Sequence, residues 1–336
     1  MQVTFLVNDP NDIQPTQTTA LLIAAAVNQG HQVGVTGVGD LACQPQGWPS
    51  AQVRWIAEKT ADLSALLRSV AKTQPQAARL SQADLLMMRT NPARDTSHAA
   101  AHGLALNLVR QSQRDTEDED NSIRVINQPD GLVRAATKLY LLELPEFTRP
   151  KTLVSQRQAD ILAFVRSLGS PAVLKPLQGT RGNDVFLIKD ARDRNLNQII
   201  DVILRQGPVM AQRCIPGAEA GDTRVVVFNG KVLEIEGEVA AIARIPKSGD
   251  FRSNLHAGGL AQPGVVTDDM RKVVDAIGPK LAGDGLFLVG LDFIGAQLVE
   301  INVFSTGGLH NAQKFTGKNF CAYIIDELTR NLPGPA

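Results

Sequence analysis

The sequence predicts a fold of the α/β or α+β class, and three observations lead there. The chain opens on a strand–helix–strand alternation. Its last third is rich in short strands joined by tight turns, and no internal repeat runs through it. Alternation of this kind favours a parallel sheet with helices on its faces, and the lack of a repeat removes solenoids and propellers. At 336 residues, 43% of them hydrophobic, the chain is long enough to bury a sizeable core in two or three units.

Taken in order, Val3 to Val7 is a short apolar run followed by the turn-rich Asn8-Asp9-Pro10-Asn11-Asp12. Thr16 to Asn28 carries Ala, Leu and Ile continuously, with threonines suited to cap a helix start and Gly30 as its stop. His31 to Val35 resumes an extended pattern, and Leu85 to Met88 and Val125 to Asn127 read as further strands. The fragment Gly37-Val38-Gly39 is too short for a dinucleotide fingerprint. Between these strands, the acidic stretch 114–121 reads as a solvated insertion. A second unit begins near Pro129: a helix over Ala135 to Leu144, strands at 172–175 and 185–188, a helix from Leu196 to Arg205 and a strand at 209–212. The third unit offers strands at 223–228, 231–235 and 239–244, the first two joined by Asn229-Gly230. A hairpin follows, Leu286 to Ile294 and Gln297 to Val303 across Gly295-Ala296, and Asn319 to Arg330 closes the chain as a helix. The expected units are residues 1–128, 129–221 and 222–336.

Composition narrows the partners. With 34 basic and 34 acidic residues there is no global field to attract nucleic acid or an anionic membrane. Cys43, Cys214 and Cys321 are few, odd in number and widely spaced, as in a reducing compartment. No apolar run approaches the roughly 20 residues a membrane helix needs, nor does the start read as a signal peptide. The expectation is a cytoplasmic protein acting on small molecules.

The chemistry concentrates in a few places. Across the last hairpin, side chains alternate with period two, so Glu300 and Asn302 share a face and Asp292 can meet them from the neighbouring strand. Two carboxylates and an amide oxygen make a hard site suited to magnesium on phosphates. Glu300 also interrupts an otherwise apolar strand, where an unpaired carboxylate is costly. Lys175 ends an apolar strand just before Gly179-Thr180-Arg181-Gly182, a pattern that can hold phosphate oxygens, although it is not a Walker A sequence. Lys138 can add a second cation. Arg224, Arg244 and Arg252 are candidates for carboxylate or phosphate recognition, and segment 247–252 for a cover that excludes water. His98 and His102 share a helix face but lack a third metal ligand, so they read as ordinary helix histidines.

These clusters, in this order, resemble the prokaryotic glutathione synthetases of the ATP-grasp superfamily over nearly the whole chain. The likeness rests on Leu86-Met87-Met88-Arg89 with Asn91-Pro92, Ile126-Asn127-Gln128-Pro129, Leu174-Lys175-Pro176-Leu177, Met210-Ala211-Gln212, Asp222-Thr223-Arg224-Val225, Ala243-Arg244-Ile245-Pro246, Gly290-Leu291-Asp292 and Glu300-Ile301-Asn302-Val303. It implies an ATP-grasp fold behind a Rossmann-like pre-ATP-grasp domain. It also implies ATP with magnesium, manganese being possible, and a homo-oligomer. By the resemblance, Asp292, Glu300 and Asn302 match metal ligands, and Lys138, Lys175, Gly179 and Gly182 the phosphate site. Gln212, Arg213, Cys214 and Ile215 match the adenine segment, and Asp222 a ribose-region carboxylate. Arg224, Arg244 and Asn254 match the transfer site, and Arg89, Arg252, Ser305, Thr306 and Gly307 the substrate side. The implied reaction phosphorylates the carboxylate of γ-glutamylcysteine, and glycine then attacks. Three segments depart from the family's pattern: the phosphate loop Gly179-Thr180-Arg181-Gly182-Asn183, where adjacent glycines are more numerous; Pro15 to Thr19, where lysine and serine are common; and Ser305 to Leu309, where Ser-Pro-Thr is usual. Another ATP-grasp ligase with a different acid and amine, or a non-catalytic ATP-binding protein, are the alternatives; the retained metal and transfer residues argue against the second.

Overall fold

The computed structural model describes residues 1–56, 59–60, 62–114, 123–169, 171–177, 184–246 and 259–330. Gly179, Gly182, Arg252, Asn254 and nearly all of the acidic stretch 114–121 lie outside these residues.

The first sheet contains β1 (Gln2–Val7), β2 (Gln32–Gly37), β3 (Leu41–Cys43), β4 (Pro49–Ile56), β5 (Gln76–Arg79), β6 (Leu85–Met88) and β7 (Arg124–Ile126). Its order is β3-β4-β2-β1-β6-β7, with β5 on β4. The β2-β1-β6-β7 core is parallel, and β4 adds to it antiparallel. Helix α1 (Thr18–Asn28) connects β1 to β2 and is buried over nearly its whole length. That explains its continuous apolar run: one side lies on the sheet and the other on the C-terminal helix, leaving no wet face to be polar. The threonines do not cap it. Gln17 is the N-cap and makes no side-chain bond, so Thr18 and Thr19 sit inside the first turn. Helix α2 (Leu63–Lys72) is capped by Asp62, and α3 (Ala99–Ser112) follows His98. Asp95 is held by both expected helix histidines, at 2.6 Å from His98 Nδ1 and 3.0 Å from His102 Nε2.

The sequence expected a helix over Ala135 to Leu144. The structure instead stops α4 (Pro129–Arg134) at Ala135 and resumes as a 3-10 turn, Lys138–Glu143. Thr137 between them is extended, and its hydroxyl accepts from Leu139 N–H at 3.3 Å. Lys138 N–H donates to the carbonyl of Leu177 at 3.2 Å, so a tertiary bond overrides the local helical pattern.

The second sheet is antiparallel, with β8 (Thr152–Ser155), β9 (Ala172–Pro176), β10 (Phe186–Ile188) and β11 (Val209–Arg213) in the order β10-β9-β11-β8. Helices α5 (Gln158–Leu168) and α6 (Leu196–Leu204) pack on it around Ile161, Leu174, Ile200 and Val209.

The third sheet begins with β12 (Asp222–Phe228), β13 (Lys231–Val232) and, after a separate two-stranded sheet of β14 (Glu234–Ile235) and β15 (Glu238–Val239), β16 (Ala241–Ile245). Asn229 and Gly230 both take positive φ, 47° and 73°, as a two-residue hairpin turn requires. The expected strands 231–235 and 239–244 are each broken, at Leu233 and at Ala240. These two buried residues bond to each other and to Val226, which bends the chain into the small β14–β15 hairpin. Next come β17 (Leu260–Pro263), α7 (Asp268–Gly283), β18 (Leu288–Ile294) and β19 (Gln297–Asn302), giving the order β17-β16-β12-β18-β19. Helix α7 buries Met270, Val273, Val274, Ile277 and Leu281, a single helical face, and Thr267 caps its start. Helices α8 (Leu309–Thr316) and α9 (Phe320–Arg330) return the chain to α1.

The first and third sheets share their core: Leu6, Leu86 and Val125 belong to the same cluster as Val225, Val289 and Leu291. The second sheet has a core of its own. Asn127 joins the first and third sheets directly. Buried at 3% exposure, its amide donates to the carbonyls of Leu288 and Val303 and accepts from Leu288 N–H, at 3.0, 3.0 and 2.8 Å.

Candidate active site

Four neighbouring strands of the third sheet carry one polar face. Asp222 on β12 lies opposite Arg244 on β16, Arg224 on β12 opposite Asp292 on β18, and Asp292 opposite Glu300 on β19. Residues two apart on a strand point to the same side, so Asn302 joins Glu300 and Arg224 joins Asp222. The charges form a ladder. Arg244 donates Nε and Nη2 to the two oxygens of Asp222 at 2.6 and 2.8 Å, and Nη2 also to Asp292 Oδ2 at 2.8 Å. Arg224 grips Asp292 with Nε and Nη2 at 2.6 and 2.7 Å. Asn302 Nδ2 stands 3.1 Å from Asp292 Oδ2. Burial opposes ionisation of Asp292, which is 1% exposed, but the Arg224 and Arg244 guanidinia outweigh it and hold the carboxyl well below the usual range. Removing one member of so buried a set strands the others, at a cost of about 3–5 kcal/mol.

A register shift between Asp292 and Phe293 takes Val299 out of the β18–β19 ladder. The carbonyl of Val299 accepts from Lys175 Nζ at 3.2 Å, so the irregularity positions the lysine. Lys175 is 8% exposed at the end of β9. Burial lowers its pKa to about 8, helped by the charge of Lys138 and opposed by Glu300 and Asp292. Burial lowers Lys138 too, again opposed by Glu300. Burial thus holds both lysines below their ordinary range against the pull of Glu300.

The face and the lysines line one cavity of about 680 Å³ between the second and third sheets and the first-sheet loops. Gln212, Arg213, Cys214 and Ile215 form part of its wall, with the apolar Val173, Leu187 and Ile294 beside them. Gln212 Nε2 donates to Thr152 Oγ1 at 3.0 Å and Cys214 N–H to the Pro171 carbonyl at 2.8 Å, fixing that edge. Burial, then the charge of Glu219, pushes the Cys214 thiol up. Such a polar-edged apolar slot suits a planar base.

Arg89, Ser305, Thr306 and Gly307 line the same cavity. Arg89 donates Nε to Thr19 Oγ1 at 3.2 Å and Nη2 to the Thr306 carbonyl at 2.8 Å. Thr306 in turn donates its hydroxyl to the Asn302 carbonyl at 2.5 Å. The structure therefore brings together Arg89, Lys138, Lys175, Gln212, Arg213, Cys214, Ile215, Asp222, Arg224, Arg244, Glu300, Asn302, Ser305, Thr306 and Gly307 on one wall system, with Asp292 directly behind the arginines. Sequence reasoning missed Thr18, Thr19, His310 and Asn311, which also line it. Threonine at a helix start reads from sequence as a cap, and nothing in the spacing of His310 or Asn311 marks a site.

The donor set fits a hard divalent ion. Asp292, Glu300 and the amide oxygen of Asn302 offer oxygen donors on adjacent strands, at the cavity end that the lysines face, and would hold such an ion.

Comparison with known proteins follows the same lines. The solved D-cycloserine synthetase DcsG superposes with a TM-score of 0.60, covering 97% of this chain and 99% of its own at 17% identity. A RiPP-associated ATP-grasp ligase of Chryseobacterium gregarium gives 0.64, covering 99% and 98% at 11% identity; both speak for the fold. Fold and cavity agree with the family matches that follow, which define an ATP-grasp enzyme, an ATP-dependent ligase that makes a C–N bond from a carboxylate and an amine and uses a divalent metal. Residues 1–132 match the prokaryotic glutathione synthetase N-terminal domain, and residues 137–317 the ATP-grasp domain of the same enzymes. Glutathione synthetases of Synechococcus elongatus and Gloeobacter violaceus are similar, the first 33% identical over 329 residues (94% of each chain) and the second 34% over 331 residues (98% of this chain, 96% of the other). The chain belongs to the prokaryotic glutathione synthetase family.

Proposed function

We propose that this enzyme joins the cysteinyl carboxylate of γ-glutamylcysteine to the amine of glycine, forming glutathione, ADP and phosphate. The observation that carries the reading is the convergence, on one cavity, of Lys138 and Lys175 with the Arg224, Arg244, Glu300 and Asn302 face.

A carboxylate is a poor electrophile until its oxygen carries phosphate. In the first step a carboxylate oxygen attacks the γ-phosphorus of ATP and the bond to the β-phosphate oxygen breaks, giving an acyl phosphate and ADP. In the second, the glycine nitrogen attacks the acyl carbon, phosphate leaves with the bonding pair, and the nitrogen gives up a proton. Lys138 and Lys175 neutralise the nucleotide phosphates, and the Gln212–Ile215 edge orients the base. Arg224 and Arg244 balance the charge that spreads over the transferring phosphoryl group, held at a fixed angle by Asp292 and Asp222. Magnesium held by Asp292, Glu300 and Asn302 would supply Lewis-acid neutralisation of the phosphate oxygens. We place the reaction in the cytoplasm.

The test is ADP release with ATP, magnesium, γ-glutamylcysteine and glycine, omitting each in turn, with glutathione identified by mass. ADP and glutathione are expected only with the full set and not with Glu300→Ala. Turnover that ignores γ-glutamylcysteine or glycine would sink the assignment and point to another acid or amine.

A further inference from the structure

A second cavity, of about 660 Å³, opens among the end of α3, β7, α4 and the stretch from α7 to β18. No described residue lines both this cavity and the active-site cavity. Part of its wall is apolar, with Ile123 and Ile126 buried and Phe287 half-buried. Four arginines reach it, Arg110, Arg114, Arg124 and Arg134, against the carboxylates of Asp130 and Asp284.

Both carboxylates are already engaged. Asp130 pairs with Arg110, and Asp284 accepts from Arg134 Nη1 at 2.8 Å, Lys280 Nζ at 2.9 Å and Tyr140 Oη at 2.7 Å. Among the described residues, no carboxylate pairs with Arg114 or Arg124. Arg124 makes one side-chain bond, from Nη1 to the uncharged Leu328 carbonyl at 3.5 Å. Arg110 Nε is buried and has no hydrogen-bond partner among these residues. A buried donor left unpaired is costly, and an anion that accepts from it removes the cost.

We propose that this cavity is a second binding site, for a small organic dianion bearing carboxylate or phosphate groups. Two guanidinia in excess of the internal pairs set the charge. Their forks match the paired oxygens of carboxylates and phosphates. The apolar wall favours a carbon skeleton over a bare ion, and the volume is that of a small-molecule site. The site stands apart from the reaction, because Phe287 precedes β18 and lies roughly 16 Å along the strand from Asp292. Ile126 and Gln128 on its wall flank Asn127, so an occupant bears on the joint between the first and third sheets. None of this depends on the acid and amine assigned above. Residues 115–122 join Arg114 to Ile123 in the chain and include Asp115, Glu117, Asp118, Glu119 and Asp120, whose carboxylates compete in sign with any ligand.

The test is calorimetric titration of succinate and of glycerol 3-phosphate into the full chain loaded with magnesium and a non-hydrolysable ATP analogue. At least one of the two is expected to bind at one per chain and to weaken as salt rises, and the one that binds names the anionic group. Succinamide and glycerol, their uncharged counterparts, should not bind. Arg114→Gln and Arg124→Gln should each lower the affinity about tenfold or more, the scale of a hydrogen bond to a charged group. Binding of the nucleotide analogue should be unchanged in both, which also checks the fold. No binding of either anion to wild type overturns the proposal. So does binding that neither variant weakens, since the anion then sits elsewhere. Binding that emerges only when Asp115→Asn, Glu117→Gln, Asp118→Asn, Glu119→Gln and Asp120→Asn are combined overturns it too, because the chain's own carboxylates would then fill the cavity.

Discussion

Lys175 shows how burial would couple to the nucleotide binding proposed for this side chain. Its ammonium is drawn out of water by the end of β9 and tethered to the Val299 carbonyl, and its pKa sits near about 8. The charged form is the one that binds phosphate, so anion binding must supply the proton once the pH passes that value. The sign is therefore fixed: nucleotide affinity is highest below about pH 8 and falls above it, by up to about tenfold per pH unit until the bound-state pKa is reached. Calorimetry with the non-hydrolysable analogue from about pH 7 to about pH 9 reads this directly. Lys175→Met should bind weakly and lose the pH dependence, whereas an unchanged slope in the variant would remove Lys175 from the phosphate site. This lysine was legible in the sequence, because a charged residue ending an apolar strand is conspicuous. Thr18 and Thr19 were not. Threonine at a helix start has a common local use as a cap, and only the fold shows that these two lie inside the first turn beside Arg89.

At the scale of elements, the β18–β19 hairpin was readable because period-two alternation and the Gly295-Ala296 turn agree. The register shift that frees Val299 was not, since it depends on how the two strands meet. The same holds for residues 135–144: helical spacing was real, but Thr137 and the Lys138–Leu177 bond broke it. Local pattern yields where a tertiary bond competes for the same backbone group. The approach of α7 to the β12–β13 turn is another such feature. A Cβ on Gly278 would lie 2.0 Å from the Gly230 carbonyl oxygen, and Gly230, at φ 73°, has little freedom to move aside. Gly278→Ala should therefore destabilise the protein by about 3 kcal/mol, although alanine favours helices. Gly283, in the last turn of the same helix, has open space around it, and Gly283→Ala should be within about 1 kcal/mol of wild type. Urea denaturation of the two variants gives the comparison, and equal midpoints would mean that the close approach is absent in solution.

At the scale of the molecule, the first and third sheets share one core and are stapled by Asn127, while the second sheet keeps a separate core. The cavity lies where the self-contained unit meets the other two, so Lys175 comes from one side of a seam and Glu300, Asp292 and Lys138 from the other. This division makes the ladder of Asp222, Arg244, Asp292 and Arg224 intelligible. The arginines and carboxylates of the ladder neutralise one another, so none of these buried charges is stranded. Much of that machinery was visible in the sequence as separate short motifs. Their union on one sheet face, and the mutual pairing of the arginines with the proposed metal carboxylate, depend on strand order across β16-β12-β18-β19, which no local pattern encodes.

The central claim is that a carboxylate is activated as an acyl phosphate on that face. Its most direct test is to run the reaction with γ-glutamylcysteine carrying ¹⁸O in the cysteinyl carboxylate and to analyse the phosphate released. The account predicts one ¹⁸O transferred to inorganic phosphate for each glutathione formed, and none without glutathione formation. Glutathione made with no ¹⁸O in phosphate would contradict it, because the carboxylate oxygen would then never have been bonded to the transferred phosphorus.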